Sequence, residues 1–114
     1  MIATHTFIKK AKIDLLCYKV LDKKTRYSPF QNKEFIGVPY EGRFKTFAPP
    51  FFRNIEKGFL HACKTPERAE EIRTRLYEDG YKNKLEIFRA IIPKGTLYWE
   101  GEEDEYASRK ITLK

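Results

Sequence analysis

Gly58-Phe59-Leu60-His61-Ala62-Cys63-Lys64-Thr65-Pro66-Glu67-Arg68-Ala69-Glu70-Glu71-Ile72-Arg73-Thr74-Arg75-Leu76-Tyr77-Glu78-Asp79-Gly80 is a short apolar run followed at once by a complete set of helix signals. Gly58 to Cys63 reads as a strand. Thr65 has the side-chain oxygen of an N-cap, and Pro66 suits the first helical position, where a missing N–H costs nothing. Ala69, Ile72, Leu76 and Tyr77 recur at helical spacing and form one apolar stripe. Glu67, Glu70 and Glu71 lie near the start, with Arg73 and Arg75 later, the order that the helix dipole favours. Gly80 supplies the stop. A helix over about 65–79 beside a strand, within a chain otherwise rich in strand patterns, predicts an α+β fold.

Outward from that stretch the pattern is β. Ile13 to Leu21 reads as a buried strand, apolar on both faces toward its centre. Leu85 to Ile92 is a strand, Pro93-Lys94-Gly95 a tight turn, and Thr96 to Trp99 the returning strand of a hairpin. Tyr106 to Leu113 reads as a final strand. Ile2 to Phe7 is a short edge strand broken by Lys9, Lys10 and Lys12. Residues 22–57 are dense in turn signals, including Ser28-Pro29, Gly37, Pro39, Gly42 and Pro49-Pro50, yet they carry Phe30, Phe35, Tyr40, Phe44, Phe47, Phe51 and Phe52. So many rings predict an ordered, loop-rich aromatic cap on one mainly antiparallel sheet, and long loops of this kind often hold a ligand or partner.

With 114 residues one core is expected, hence a single domain over 1–114. The apolar runs are too short for a membrane span, and the first residues lack the apolar stretch of a signal peptide, so the expected setting is cytoplasmic with no membrane partner. Cys17 and Cys63 form no CxxC pair and have no histidine cluster; both are expected to be buried free thiols, with no metal and no cofactor. The net charge of +7 is uneven: residues 23–57 hold eight Lys or Arg against three Glu, while Glu100 to Glu105 has five acids in six positions. A basic chain attracts polyanions. The acidic tract lacks calcium-loop spacing and reads as a solvated loop.

Two sets of residues are candidates for chemistry. His61 stands on a strand just before the helix; a histidine in this context is more often a hydrogen-bonded structural residue than a catalyst, since acid–base work needs a positioned partner. The second set interleaves cations with rings. Arg26, Tyr27, Arg43, Lys45 and Arg53 form, with His61, the expected ligand-binding residues, because Arg and Lys hold phosphates while aromatic faces stack on bases. The competing view makes the rings the core of the cap and the charges its solvated rim. No GxGxxG, Walker, HExxH or GxSxG motif occurs, which weighs against an enzyme.

Three patterns carry a resemblance: Tyr18-Lys19-Val20 with Tyr27-Ser28-Pro29; Gly58-Phe59-Leu60-His61 with Thr65-Pro66-Glu67-Arg68-Ala69; and Ile91-Ile92-Pro93-Lys94-Gly95-Thr96 leading to Tyr106-Ala107-Ser108. Together they resemble small uncharacterised proteins of phages and gut bacteria. That resemblance implies a phage or mobile-element setting, in which interference with a host defence component is a natural role. More distantly, the layout is similar to ADP-ribosyltransferase-like folds. Such enzymes place a glutamate four residues before the turn's proline, and here Arg89 stands there; a guanidinium cannot accept a hydroxyl proton. The expected function is therefore that of a small basic binding protein for an anionic partner, be it nucleotide, nucleic acid or acidic protein surface. A degenerate ADP-ribosyltransferase-like enzyme and a structural or assembly module without a ligand site are the alternatives.

Overall fold

A computed structural model describes residues 8–29, 33–38, 60–101 and 103–114. Nine strands and one helix occupy them: β1 (Ile8–Lys10), β2 (Leu15–Asp22), β3 (Tyr27–Ser28), β4 (Lys33–Glu34), β5 (Leu60–Cys63), α1 (Pro66–Glu78), β6 (Leu85–Ile92), β7 (Leu97–Glu100), β8 (Glu105–Ser108) and β9 (Thr112–Leu113). Seven strands form one antiparallel sheet in the order β1-β7-β8-β5-β2-β6-β9, and β3 with β4 forms a small separate ribbon. The fold is α+β.

The helix follows its local signals. Thr65 sits in extended backbone, and its hydroxyl accepts the Arg68 N–H at 3.1 Å. Ala69 is fully buried, and Ile72 and Leu76 pack with Tyr18, Val20, Cys63, Leu85 and Ile87. Tyr77 departs from the expected stripe: its ring is exposed, and its hydroxyl accepts the Leu85 N–H at 2.7 Å, tying the helix end to β6. Thr65→Ala is expected to lower stability by about 1 kcal/mol, with Thr65→Ser near wild type. Denaturant midpoints check this, and an unchanged Ala variant would show that the cap is dispensable.

Strand pairing differs from the expected order in three places. β6 and β7 form no hairpin: β6 pairs with β2 and β9, whereas β7 pairs with β1 and β8. The final strand is two, since β8 lies on β5 and β7 while β9 lies on β6. Lys9 and Lys10 do not break the first strand but belong to it, at the sheet edge, where lysines oppose further pairing. The Ile2–Phe7 strand expected there lies outside the described residues.

The sheet is sharply bent. The connections 11–14 and 93–96 each cross four strand intervals, from β1 to β2 and from β6 to β7. A flat sheet would require about 19 Å, and five Cα steps reach about 18 Å only when fully extended. The second connection is instead coiled into a turn, with the Thr96 N–H donating to the Pro93 carbonyl at 3.1 Å. The bend falls between β2 and β5, which share a single residue pair, Tyr18 with Cys63. It folds the arm β1-β7-β8-β5 toward the arm β2-β6-β9, and one core fills the inner face: Cys17, Leu21, Ala90 and Ile92 with Leu60, Ala62 and Tyr106. The helix packs on the outer face of β5, β2 and β6.

The two connections lie side by side and close one end of the fold. Ala11 donates to the Thr96 carbonyl and accepts from Gly95, and an Asp14 carboxylate oxygen accepts the Lys94 N–H. Phe35 reaches the same inner face from the segment after β4, held there by the Ile111 N–H bond to the Gly37 carbonyl. A Cβ on Gly37, at φ +86°, would stand 2.7 Å from the Ile111 carbonyl oxygen, so glycine alone fits.

Candidate functional site

Alternation along the strands sorts the side chains into inner and outer sets. On β2, Cys17, Lys19 and Leu21 point inward; on β6, Glu86, Phe88 and Ala90 lie opposite them in the pairs Leu21–Glu86, Lys19–Phe88 and Cys17–Ala90. His61 lies two residues from Cys63, whose side chain packs under the helix, and so it points outward. Arg26 and His61, expected to share a site, are therefore on opposite faces of the sheet. Arg43, Lys45 and Arg53 lie outside the described residues, as does most of the expected cap. Tyr27 is described and exposed.

Arg26 is positioned by a rigid turn. The buried Asp22 ends β2, and one of its carboxylate oxygens accepts the N–H groups of Lys24 and Thr25 at 2.9 and 3.1 Å. Its other oxygen accepts the Tyr81 hydroxyl at 2.8 Å. These donors, Thr25 first, hold the carboxyl down at about 2. The Arg26 N–H closes the turn on the Asp22 carbonyl, and the Arg26 carbonyl accepts the Phe35 N–H. Arg26 takes φ +64°, a conformation that is uncommon for a side chain without local hydrogen-bonding capacity. Its guanidinium then lies 4.5 Å from the centre of the Phe88 ring, a cation–π stack on the inner face.

Lys19 stands opposite Phe88 in register; in the sequence it figures only within the Tyr18-Lys19-Val20 pattern, with no role in a site. Its ammonium lies where the two arms separate. There it donates to the His61 carbonyl at 2.5 Å, replacing a ladder bond that β2 and β5 do not make, and it sits 5.4 Å from the centre of the Phe35 ring. Burial pulls its pKa down to about 8. Burial also lowers His61, to about 4, with the Lys19 charge adding to the effect. The His61 ring is edge-on to Trp99. Cys17 and Cys63 are free and buried, on opposite faces, and burial pushes them up to about 12 and about 11. Such thiols are weak nucleophiles at neutral pH.

The acidic tract is not a solvated loop. Arg68, near the start of α1, bonds Glu105 at 2.8 Å, Glu71 at 2.9 Å and Glu103 at 3.0 Å, while Glu100 pairs with Lys64 and with Lys9. Arg68 of the helix, Lys64 just before it and Lys9 of β1 thus pair with three of its acids, Glu100, Glu103 and Glu105. An open hollow of about 720 Å³ lies over this region, lined mainly by carboxylates, with Glu70, Glu71, Glu103 and Asp104 among them. It is a surface whose charges already serve each other, and its sign is wrong for an anion. Among the described residues no three His, Cys, Asp or Glu side chains gather to hold a metal ion, and no helix is long and apolar enough to cross a membrane.

Arg89 is exposed on the outer face opposite Tyr18, and Glu86 lies on the inner face opposite Leu21. The two are on different sides of the sheet, so Glu86 does not take the place that a transferase's glutamate would occupy. No protein-family model, curated protein or solved structure matches this chain.

Proposed function

We propose that this chain is a small basic binding protein that engages an anionic partner through the inner sheet face at Arg26. The observation that carries the proposal is the state of that side chain. Arg68 and Arg73 are spent on carboxylates, whereas among the described residues no carboxylate pairs with Arg26, whose guanidinium is stacked on Phe88 by a turn that Asp22 and Tyr81 organise. A left-handed arginine stores backbone strain, and such strain is concentrated at ligand clamps. Stacking fixes the guanidinium plane and leaves its N–H fork for an oxyanion. The net charge of +7 draws polyanions toward it. The resemblance to phage proteins makes a host defence component a natural source of the partner.

Binding of a labelled oligonucleotide and of an acidic peptide, each titrated across salt concentrations, tests the proposal. Arg26→Ala should weaken binding and reduce the salt slope by about one ion-pair contribution, while stability changes by no more than about 1 kcal/mol. A paired change at Lys82 and Lys84, exposed cations beyond the helix, should leave binding nearly unaltered. Equal losses from Arg26 and from the Lys82/Lys84 pair would reduce the effect to diffuse charge and remove the localised site.

A further inference from the structure

We infer that the end of the fold closed by the connections 11–14 and 93–96 is a surface that rests on anionic lipid. Three exposed large apolar side chains gather there: Ile13 at 65 %, Leu97 at 45 % and Leu16 at 40 % exposure. Backbone pairing makes them neighbours. Leu97 pairs with Lys10, Ala11 bonds Gly95 and Thr96, an Asp14 carboxylate oxygen accepts the Lys94 N–H, and Leu16 pairs with Ile91. Leu16 and Leu97 alternate with Cys17 and Tyr98, which belong to the core, so both point away from it. Single apolar residues on a surface need no explanation, but a contiguous group marks an interaction site.

The charges around this group select its partner. Lys10, Lys12 and Lys94 are exposed among the same residues, and the acid between them, Asp14, has one carboxylate oxygen engaged by the Lys94 N–H. Lysines around protruding apolar side chains are complementary to an anionic bilayer: the ammonium groups meet the headgroups while the apolar ends enter the acyl boundary. A lysine stem also lies along apolar surface with its charge still in water. Shape favours lipid over protein. A protein interface seats its anchor residues in pockets, whereas these side chains stand on the outside of a bend, and the hollow of about 720 Å³ lies elsewhere, at the helix and the acidic tract. A fluid surface accepts such a corner without a matching cavity.

The expectation of no membrane partner came from the want of a spanning segment. Among the described residues no helix is long and apolar enough to cross a membrane, and a corner that lies on a bilayer requires none. Arg26 follows the far end of β2 from Leu16, so the lipid surface and the anion site are separate, and neither depends on the other.

Flotation with vesicles of phosphatidylcholine alone and of phosphatidylcholine mixed with phosphatidylserine tests this. The protein should float with the anionic vesicles, stay behind with the neutral ones and be released by salt. Ile13→Ser with Leu97→Ser should weaken binding about tenfold or more, and Lys12→Gln with Lys94→Gln about thirtyfold. All four side chains are exposed, so both double variants should fold, which circular dichroism checks. The Lys82/Lys84 pair, placed between the helix and the start of β6, should lose little when changed to glutamine. Wild-type protein gives a reading that needs no variant: a spin label on the acyl chain of the anionic lipid should broaden the amide signals of residues 12–14 and 94–97 first. No flotation, equal flotation with neutral vesicles, wild-type binding by either corner variant, an equal loss from the Lys82/Lys84 pair, or broadening centred elsewhere overturns the inference. So does a dimer in solution that the Ile13/Leu97 change dissolves while vesicles remain unbound, since the corner would then belong to a second copy of the chain.

Discussion

Replacing Lys19 with methionine is expected to stabilise the unliganded protein at neutral pH and to destabilise it at high pH. The folded-state pKa of Lys19 is about 8 against an ordinary 10.5. A lysine lowered in this way binds fewer protons when folded than when unfolded between those values, so its unfavourable contribution is complete below about 8, shrinks as pH rises, and is gone above about 10.5. The gap corresponds to about 3 kcal/mol, and partial exposure makes this an upper figure. Methionine removes the ammonium penalty, keeps a polarisable contact with Phe35 and gives up the hydrogen bond to the His61 carbonyl, worth about 1 kcal/mol. A net gain of about 1–2 kcal/mol at pH 7 should therefore become a loss of about 1 kcal/mol above the ordinary lysine pKa. Denaturant unfolding at both pH values checks the crossover. A variant less stable than wild type throughout would mean that the Lys19 charge is already compensated within the fold.

The second large effect lies on the acid side and belongs to His61. Its pKa is lowered from 6.5 to about 4, first by burial and then by the Lys19 ammonium. The folded state thus holds a neutral imidazole where the unfolded chain takes up a proton. The stability this provides is complete above about 6.5, falls as pH drops, and is lost by about 4, a change of at most about 3 kcal/mol. Asp22 acts later: its lowered carboxyl contributes above 3.8 and loses that contribution only as pH falls to about 2. His61→Gln should therefore flatten the stability profile between about 6.5 and 4 and leave the lower limb in place. Unfolding curves across that range separate the two groups. An unchanged slope in the variant would assign the upper limb to another residue.

These two groups share an origin that no local pattern discloses. Lys19 and His61 are coupled because β2 and β5 meet at one residue pair and then separate, so that a lysine side chain takes over from the backbone ladder. Read along the chain, Lys19 is one polar position in an alternating strand. Arg26 and Tyr27 stood out through the mixture of cations and rings, and the structure describes both, but the stack on Phe88 depends on a partner 62 positions away.

Local chemistry was legible in the residues alone. The cap at Thr65, the apolar positions Ala69, Ile72 and Leu76, the stop at Gly80 and the limits of the Leu85–Ile92 strand are all set by residues within a turn or two of one another, and their energies do not depend on distant neighbours. The α+β class followed from them. Pairing, by contrast, was settled by long-range packing: the Pro93–Gly95 turn looks like a hairpin, yet it carries the chain across the end of a bent sheet, because Ala11 and Asp14 offer its N–H groups better partners than β6 does. The bend also separated Arg26 from His61 and enclosed Lys19, since strand alternation assigns a side chain to one of two faces and only long-range pairing determines which face is inside.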